Sequence, residues 1–128
     1  MVSDFISTRV AIIGSAKLSV QQFKTAARLI DMIIVWESSH NPEIIIVSGG
    51  ADGVDKLAET TAYNRGIRYD IYLPEHQTWE FFKKRNIEIA ENCDVLYRIA
   101  NVDTKTYGSG WTADYAEKLG VPVERIYI

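Results

Sequence analysis

The stretch Ser48-Gly49-Gly50-Ala51-Asp52-Gly53-Val54-Asp55 carries the residue types of an anion site. It follows the apolar run Ile44-Ile45-Ile46-Val47 and precedes the helix-like Lys56-Leu57-Ala58-Glu59. Glycines let a backbone approach a ligand and take up positive φ. The free N–H groups at a helix start then point at the bound group, with the helix dipole behind them. Gly14-Ser15 and Gly108-Ser109-Gly110, the latter ahead of Trp111 and Thr112, add two more glycine turns with hydroxyls. Together these segments are expected to gather donors around one or two phosphates. The plain alternative is that each glycine only closes a tight strand-to-helix turn.

The acids in the main loop complicate this reading. Asp52 has the residue type and place of a helix N-cap, with Asp55 in the first turn after it. Both would satisfy helix donors and repel phosphate. Asp55 could instead accept a hydrogen bond from a ribose hydroxyl. Further on, Phe82, Asn86, Ile89 and Cys93 share one helical face, and Asn86 interrupts that apolar stripe. Arg85 is its neighbour. A polar pair in such a place is costly without partners. The partner is either a ligand phosphate or sugar, or the protein's own backbone carbonyls.

The elements that must position these residues alternate strand and helix throughout. Arg9–Gly14, Ile44–Val47, Arg68–Leu73, Val95–Ile99 and Val123–Ile128 read as strands, several of them continuously apolar as buried parallel strands are. Helices are predicted from Ser19 to about Ser38, Val54 to Arg65, Thr78 to Asn92, and Trp111 to Leu119. The first opens on the capping-box spacing Ser19…Gln22 and repeats Phe23, Ala26, Ala27, Ile30, Ile33 and Ile34 at helical intervals. Residues 101–110 read as a loop. The pattern predicts an α/β fold, a single-domain, Rossmann-like three-layer sandwich over residues 1–128. Its five-stranded parallel sheet is expected in the order 3-2-1-4-5. Ligands of such sheets bind at the carboxyl edge, where the strand order reverses. The loops after strands 1, 2 and 4 converge there.

Composition narrows the partners. The chain has 128 residues, 47% hydrophobic, and a net charge of -3 from 17 acids and 14 bases. That length fits one domain with a sizeable core. The acidic balance argues against nucleic acid, which is usually met by a basic face. No apolar run approaches the roughly 18–20 residues of a membrane span, and residues 1–9 lack the pattern of a secretory leader. The single cysteine, Cys93, excludes an internal disulfide and fits a reducing compartment. A cytoplasmic protein is expected, with no membrane partner and a homo-oligomer left open. His40 and His76 share no metal-ligand spacing, so no metal site is expected. Cys93 and Trp36 read as packing. Trp79 reads as packing or pocket wall. Trp111 either stacks on a base or covers the sheet edge. Lys83 and Lys84 read as solvated surface.

Ser48-Gly-Gly-Ala-Asp-Gly-Val-Asp-Lys-Leu-Ala58 resembles the glycine motif of the SLOG superfamily. That Rossmann-like group includes the Lonely Guy (LOG) phosphoribohydrolases and the DNA-processing protein A family. The small single-domain members of the DUF2493 group are most similar. Their opening strand matches Val10–Ser15, their Arg-Asn pair matches Arg85-Asn86, and their Gly-Thr-Ala-Asp motif matches Trp111-Thr112-Ala113-Asp114. The resemblance implies a nucleotide or nucleotide-derived ligand, such as a phosphoribosyl or ADP-ribose-like molecule, and no certain cofactor. By this resemblance the ligand-binding residues include Gly14, Ser15, Ser48 to Gly53, Asp55, Arg85, Asn86, and Gly110 to Thr112. Two positions depart from the family. Tyr115 stands where LOG enzymes carry a glutamate, and Trp111 replaces a glycine.

The expected function is binding of a small nucleotide-like phosphorylated ligand, as a sensor or scaffold. If it is catalytic, it hydrolyses an N-glycosidic or phosphoester bond, with Arg85 on phosphate and Asp55 or Asp114 as the acid. The alternative is a single-stranded nucleic-acid-processing module like the DNA-processing family, reading a strand through Lys83, Lys84, Arg85 and exposed aromatics. The Rossmann dinucleotide fingerprint is absent, since Gly14-Ser-Ala-Lys17 holds one glycine only.

Overall fold

A computed structural model describes residues 7–102 and 107–128. The elements run β1 (Ser7–Gly14), α1 (Val20–His40), β2 (Glu43–Ser48), α2 (Val54–Asn64), β3 (Arg68–Ile71), α3 (Trp79–Glu91), β4 (Val95–Ala100), α4 (Tyr107–Lys118) and β5 (Val123–Tyr127). The five strands form one sheet in the order β3-β2-β1-β4-β5, every pair parallel. Central β1 pairs through Val10 with Ile46 of β2 and with Val95 of β4.

Alternation along β1 splits the core. Val10 and Ile12 pack with Ile30, Ile34 and Ile46 beneath α1 and α2. Ala11 and Ile13 pack with Ile89, Leu96, Ala113 and Ala116 beneath α3 and α4. Successive side chains of a strand leave opposite faces, so a strand covered on both sides must be apolar at nearly every position.

Helix α1 starts as its capping box predicts. The Gln22 amide donates to Ser19 Oγ at 3.1 Å, and the Ser19 amide donates to Gln22 Oε1 at 3.0 Å. It runs to His40 rather than to Ser38, because Asn41 Nδ2 donates to the Glu37 carbonyl at 2.8 Å and holds the last turn. Phe23, expected on the buried stripe, is half exposed; it lies one turn ahead of Ala26, the first α1 residue to be buried. Trp36, read as packing, is also exposed, with its ring 3.9 Å from that of His40.

Two expectations about helix starts are corrected. The N-cap of α2 is Gly53, not Asp52, and no side chain caps it. Gly53 has φ of 79°, and a Cβ there would meet the Ser15 carbonyl oxygen at 2.2 Å. The Val54 amide, beyond it, donates to that same oxygen at 3.1 Å. A backbone turn pressed on β1's exit has replaced a side-chain cap. Helix α4 begins at Tyr107, so Gly108, Ser109 and Gly110 are helical rather than a loop ahead of Trp111. They fit against β4: Arg98 Nε donates to Ser109 Oγ at 3.0 Å, and its guanidinium lies under Gly110. Of the expected loop at 101–110, residues 103–106 lie outside the described residues.

Candidate functional site

The glycine loop after β2 does not present its amides to an empty space. The Asp55 carboxylate reaches back from the first turn of α2 and takes them. Its Oδ1 accepts from the Gly14 amide at 3.1 Å, and its Oδ2 accepts from the Gly49 amide at 3.2 Å. Arg85, from α3, closes on the other side of the same residue, with Nη1 donating to the Gly49 carbonyl. A Cβ on Gly49 would lie 2.6 Å from Arg85 Nη1 and 2.8 Å from Asp55 Oδ2. Gly49 is glycine because a carboxylate and a guanidinium both press on it.

Opposing effects set the charge of Asp55. The Arg85 guanidinium and the amides of Gly14, Gly49 and Ala51 favour the carboxylate, but burial outweighs them and pushes the acid up to about 6. Burial likewise draws Arg85 below the usual arginine range, with Asp55 opposing. Asp55 therefore remains mostly ionised at neutral pH and takes up its proton as the pH falls through about 6.

Beside this pair lies a crevice of about 520 Å³ at the carboxyl edge, a size typical of small-molecule sites. Gly49, Gly50, Ala51 and Asp52 form one wall. Leu73, Pro74, Trp79 and Phe82 add an apolar and aromatic lining, with Leu73 against Gly50. Arg85, Asn86 and Gly108 close it between α3 and α4. Sharing Ala51, Arg85, Asn86 and Gly108 with the crevice, a chamber of about 90 Å³ is lined further by Asp55, Ser109 and Thr112, with Ile13 and Ile89. Arg85 Nε donates to Asn86 Oδ1 at 2.8 Å. Asn86 Nδ2 is buried and has no hydrogen-bond partner among the described residues. A buried donor left unpaired is uncommon and calls for an explanation.

Seven of the residues proposed from sequence line this crevice: Gly49, Gly50, Ala51, Asp52, Arg85, Asn86 and Gly108. Asp55, Ser109 and Thr112 are brought in at the chamber. Gly14, Ser15, Ser48 and Gly53 serve the backbone instead. Ser48 Oγ donates to the Ile12 carbonyl at 2.6 Å, and Ser15 Oγ accepts from the Asn101 amide at 2.9 Å. Asp114 points elsewhere and pairs with Arg125 at 2.9 Å. Gly110 packs on Arg98. Trp111 stacks on Tyr115 at 5.2 Å and meets Trp79 edge-on at 5.8 Å, so it extends the aromatic wall. Lys83 Nζ stands 5.9 Å from its ring. Sequence reasoning missed Leu73, Pro74 and Gln77, and read Phe82 only as part of a helix face. Their position just after β3, beside the main loop, is the signal that would have found them.

No model of a known protein family matches the sequence, and no curated protein matches it. Solved structures do. DNA processing protein A (DprA) from Streptococcus pneumoniae superposes with a TM-score of 0.72 at 23% identity, over 92% of this chain and 50% of that one. The likeness is one of fold, a Rossmann-like parallel sheet between helices. The protein TM1055 agrees, with a TM-score of 0.68 at 20% identity over 91% of this chain and 72% of that one. This chain spans about half the length of the DprA chain. Among the described residues no helix is long and apolar enough to cross a membrane.

Proposed function

We propose that this chain binds a nucleotide-derived small molecule, of phosphoribosyl or ADP-ribose-like type, in the crevice between the Ser48 loop and α3. One observation carries the reading: a buried side-chain amide, Asn86 Nδ2, has no partner among the described residues, and Asn86 borders an open pocket beside a guanidinium. Trp79 and Phe82 offer faces for a base. The phosphate belongs at the mouth, between Arg85 and the first turn of α4, where the helix dipole favours an anion. It does not belong at the Gly14 and Gly49 amides, which Asp55 already holds. Placement in the DUF2493 group, a cytoplasmic home and a role as sensor are parts of the same proposal. If the site hydrolyses its ligand, Asp55 is the acid, since Asp114 is engaged outside the crevice.

Thermal denaturation with AMP, ADP-ribose and ribose 5-phosphate tests this. A ligand at 100 times its Kd stabilises by about 2.7 kcal/mol, a rise of roughly 10 °C for a chain of this size. Asn86→Leu should weaken binding about tenfold, the loss of one good hydrogen bond. Flat melting curves with all three would refute the proposal.

The aromatic cluster Trp79, Trp111 and Tyr115, with Lys83 over Trp111, favours a second reading, the binding of single-stranded nucleic acid by stacking. Fluorescence anisotropy with a labelled oligonucleotide at low salt decides it; no binding there removes this reading.

A further inference from the structure

We infer that the chamber adjoining the crevice receives a vicinal diol, the ribose edge of the ligand, and not its phosphate. This rests on the nucleotide-binding reading above and adds the orientation and the chemical group that the chamber selects.

The chamber makes two unlike demands. Asn86 Nδ2, on a residue only 5% exposed, needs an acceptor. The Asp55 carboxylate spends three of its about four acceptor sites on the Gly14, Gly49 and Ala51 amides and can accept from one more donor. A phosphate meets the first demand and fails the second, because it brings a second anion against Asp55. The Gly14, Gly49 and Ala51 amides that would have cradled it are spent on Asp55. An ammonium group meets the second demand and fails the first, and Arg85 repels it. A hydroxyl pair meets both, one oxygen accepting from Asn86 and one O–H donating to Asp55. Thr112 adds to the fit: its hydroxyl donates to the Gly108 carbonyl at 2.7 Å, which leaves its oxygen as an acceptor.

Size points the same way. The chamber holds about 90 Å³, the share of about three water molecules. That admits the hydroxylated edge of a furanose and excludes a purine. The base is then left to the Trp79 and Phe82 wall and the 5′ end to Arg85.

The test compares wild-type affinities for AMP, 2′-deoxy-AMP and 2′,3′-dideoxy-AMP, and for ribose 5-phosphate against 2-deoxyribose 5-phosphate, by calorimetry. Removing a hydroxyl that a site is built to bind leaves buried polar groups unpaired and is strongly rejected. Each ribo compound should bind at least tenfold more tightly than its deoxy partner. Asn86→Leu, checked for folding by circular dichroism, should narrow that ratio. Equal affinities of ribo and deoxy compounds would overturn the diol assignment while leaving nucleotide binding intact; an ordered water then occupies the chamber. If no compound binds, both readings fall together. Binding of free adenine as tight as AMP would also overturn it, since the base would then supply the affinity.

Discussion

Acidification should stabilise this protein through Asp55, against the usual direction for a carboxylate. A carboxyl group raised from 3.8 to about 6 in the folded chain holds its proton more tightly there than when unfolded. Between those values the native state binds more protons, so stability rises as pH falls through about 6 and levels off below about 4. A shift of about two units corresponds to about 3 kcal/mol over the whole window. Between about pH 7.5 and 4.5 the integrated change is about 2 kcal/mol, because the unfolded group is still largely ionised at the lower value. The chain has 17 acids in all, so the reference is Asp55→Asn, which lacks this group only. Urea unfolding of both proteins at several pH values gives the difference in stability. Wild type should gain about 2 kcal/mol on the variant as pH falls across that range. A constant difference would refute the balance argued here. A change of opposite sign would mean that the amides and Arg85 outweigh burial.

Two glycine substitutions should behave differently. In Gly14→Ala the new Cβ would lie 1.9 Å from the Ile99 carbonyl oxygen, which is backbone and cannot yield, so loss of the folded state in circular dichroism is expected. In Gly49→Ala the crowded atoms are the ends of Arg85 and Asp55, which can swing aside. The protein should still fold, with nucleotide affinity lost in calorimetry; unchanged affinity would contradict the clamp on this residue. Ser19→Ala removes the α1 capping box and should cost about 1 kcal/mol in urea unfolding. An unchanged midpoint would contradict a stabilising role for that box.

Much of the scaffold is legible in short windows. Ile44 to Val47 is apolar at every step because β2 is covered on both faces, and the expected order 3-2-1-4-5 is the order observed. Ser19 and Gln22 announce their own cap within four residues. Helix α4 was read four residues late because Gly108 and Gly110 count against a helix locally, while the gain they bring, room for Arg98 of β4, is invisible along the chain. Asp52 failed as a cap for a similar reason: the turn at Gly53 is held by β1's exit, a distant segment.

The site follows the same division. The residue types of an anion-binding edge are present in the sequence, and Arg85, Asn86 and the Ser48 loop do meet there. Sequence by itself determined the sheet, its reversal point and the loops that gather at it, because periodicity, glycine turns and helix caps act over a few residues. Only the tertiary structure decided who answers those amides. The partner of the Gly14 amide lies 41 residues away, and the guanidinium on the Gly49 carbonyl lies 36 away. Burial and distance between such groups arise from packing, and packing turned an apparent phosphate cradle into one that holds the protein's own carboxylate, leaving Asn86 Nδ2 a donor unpaired among the described residues.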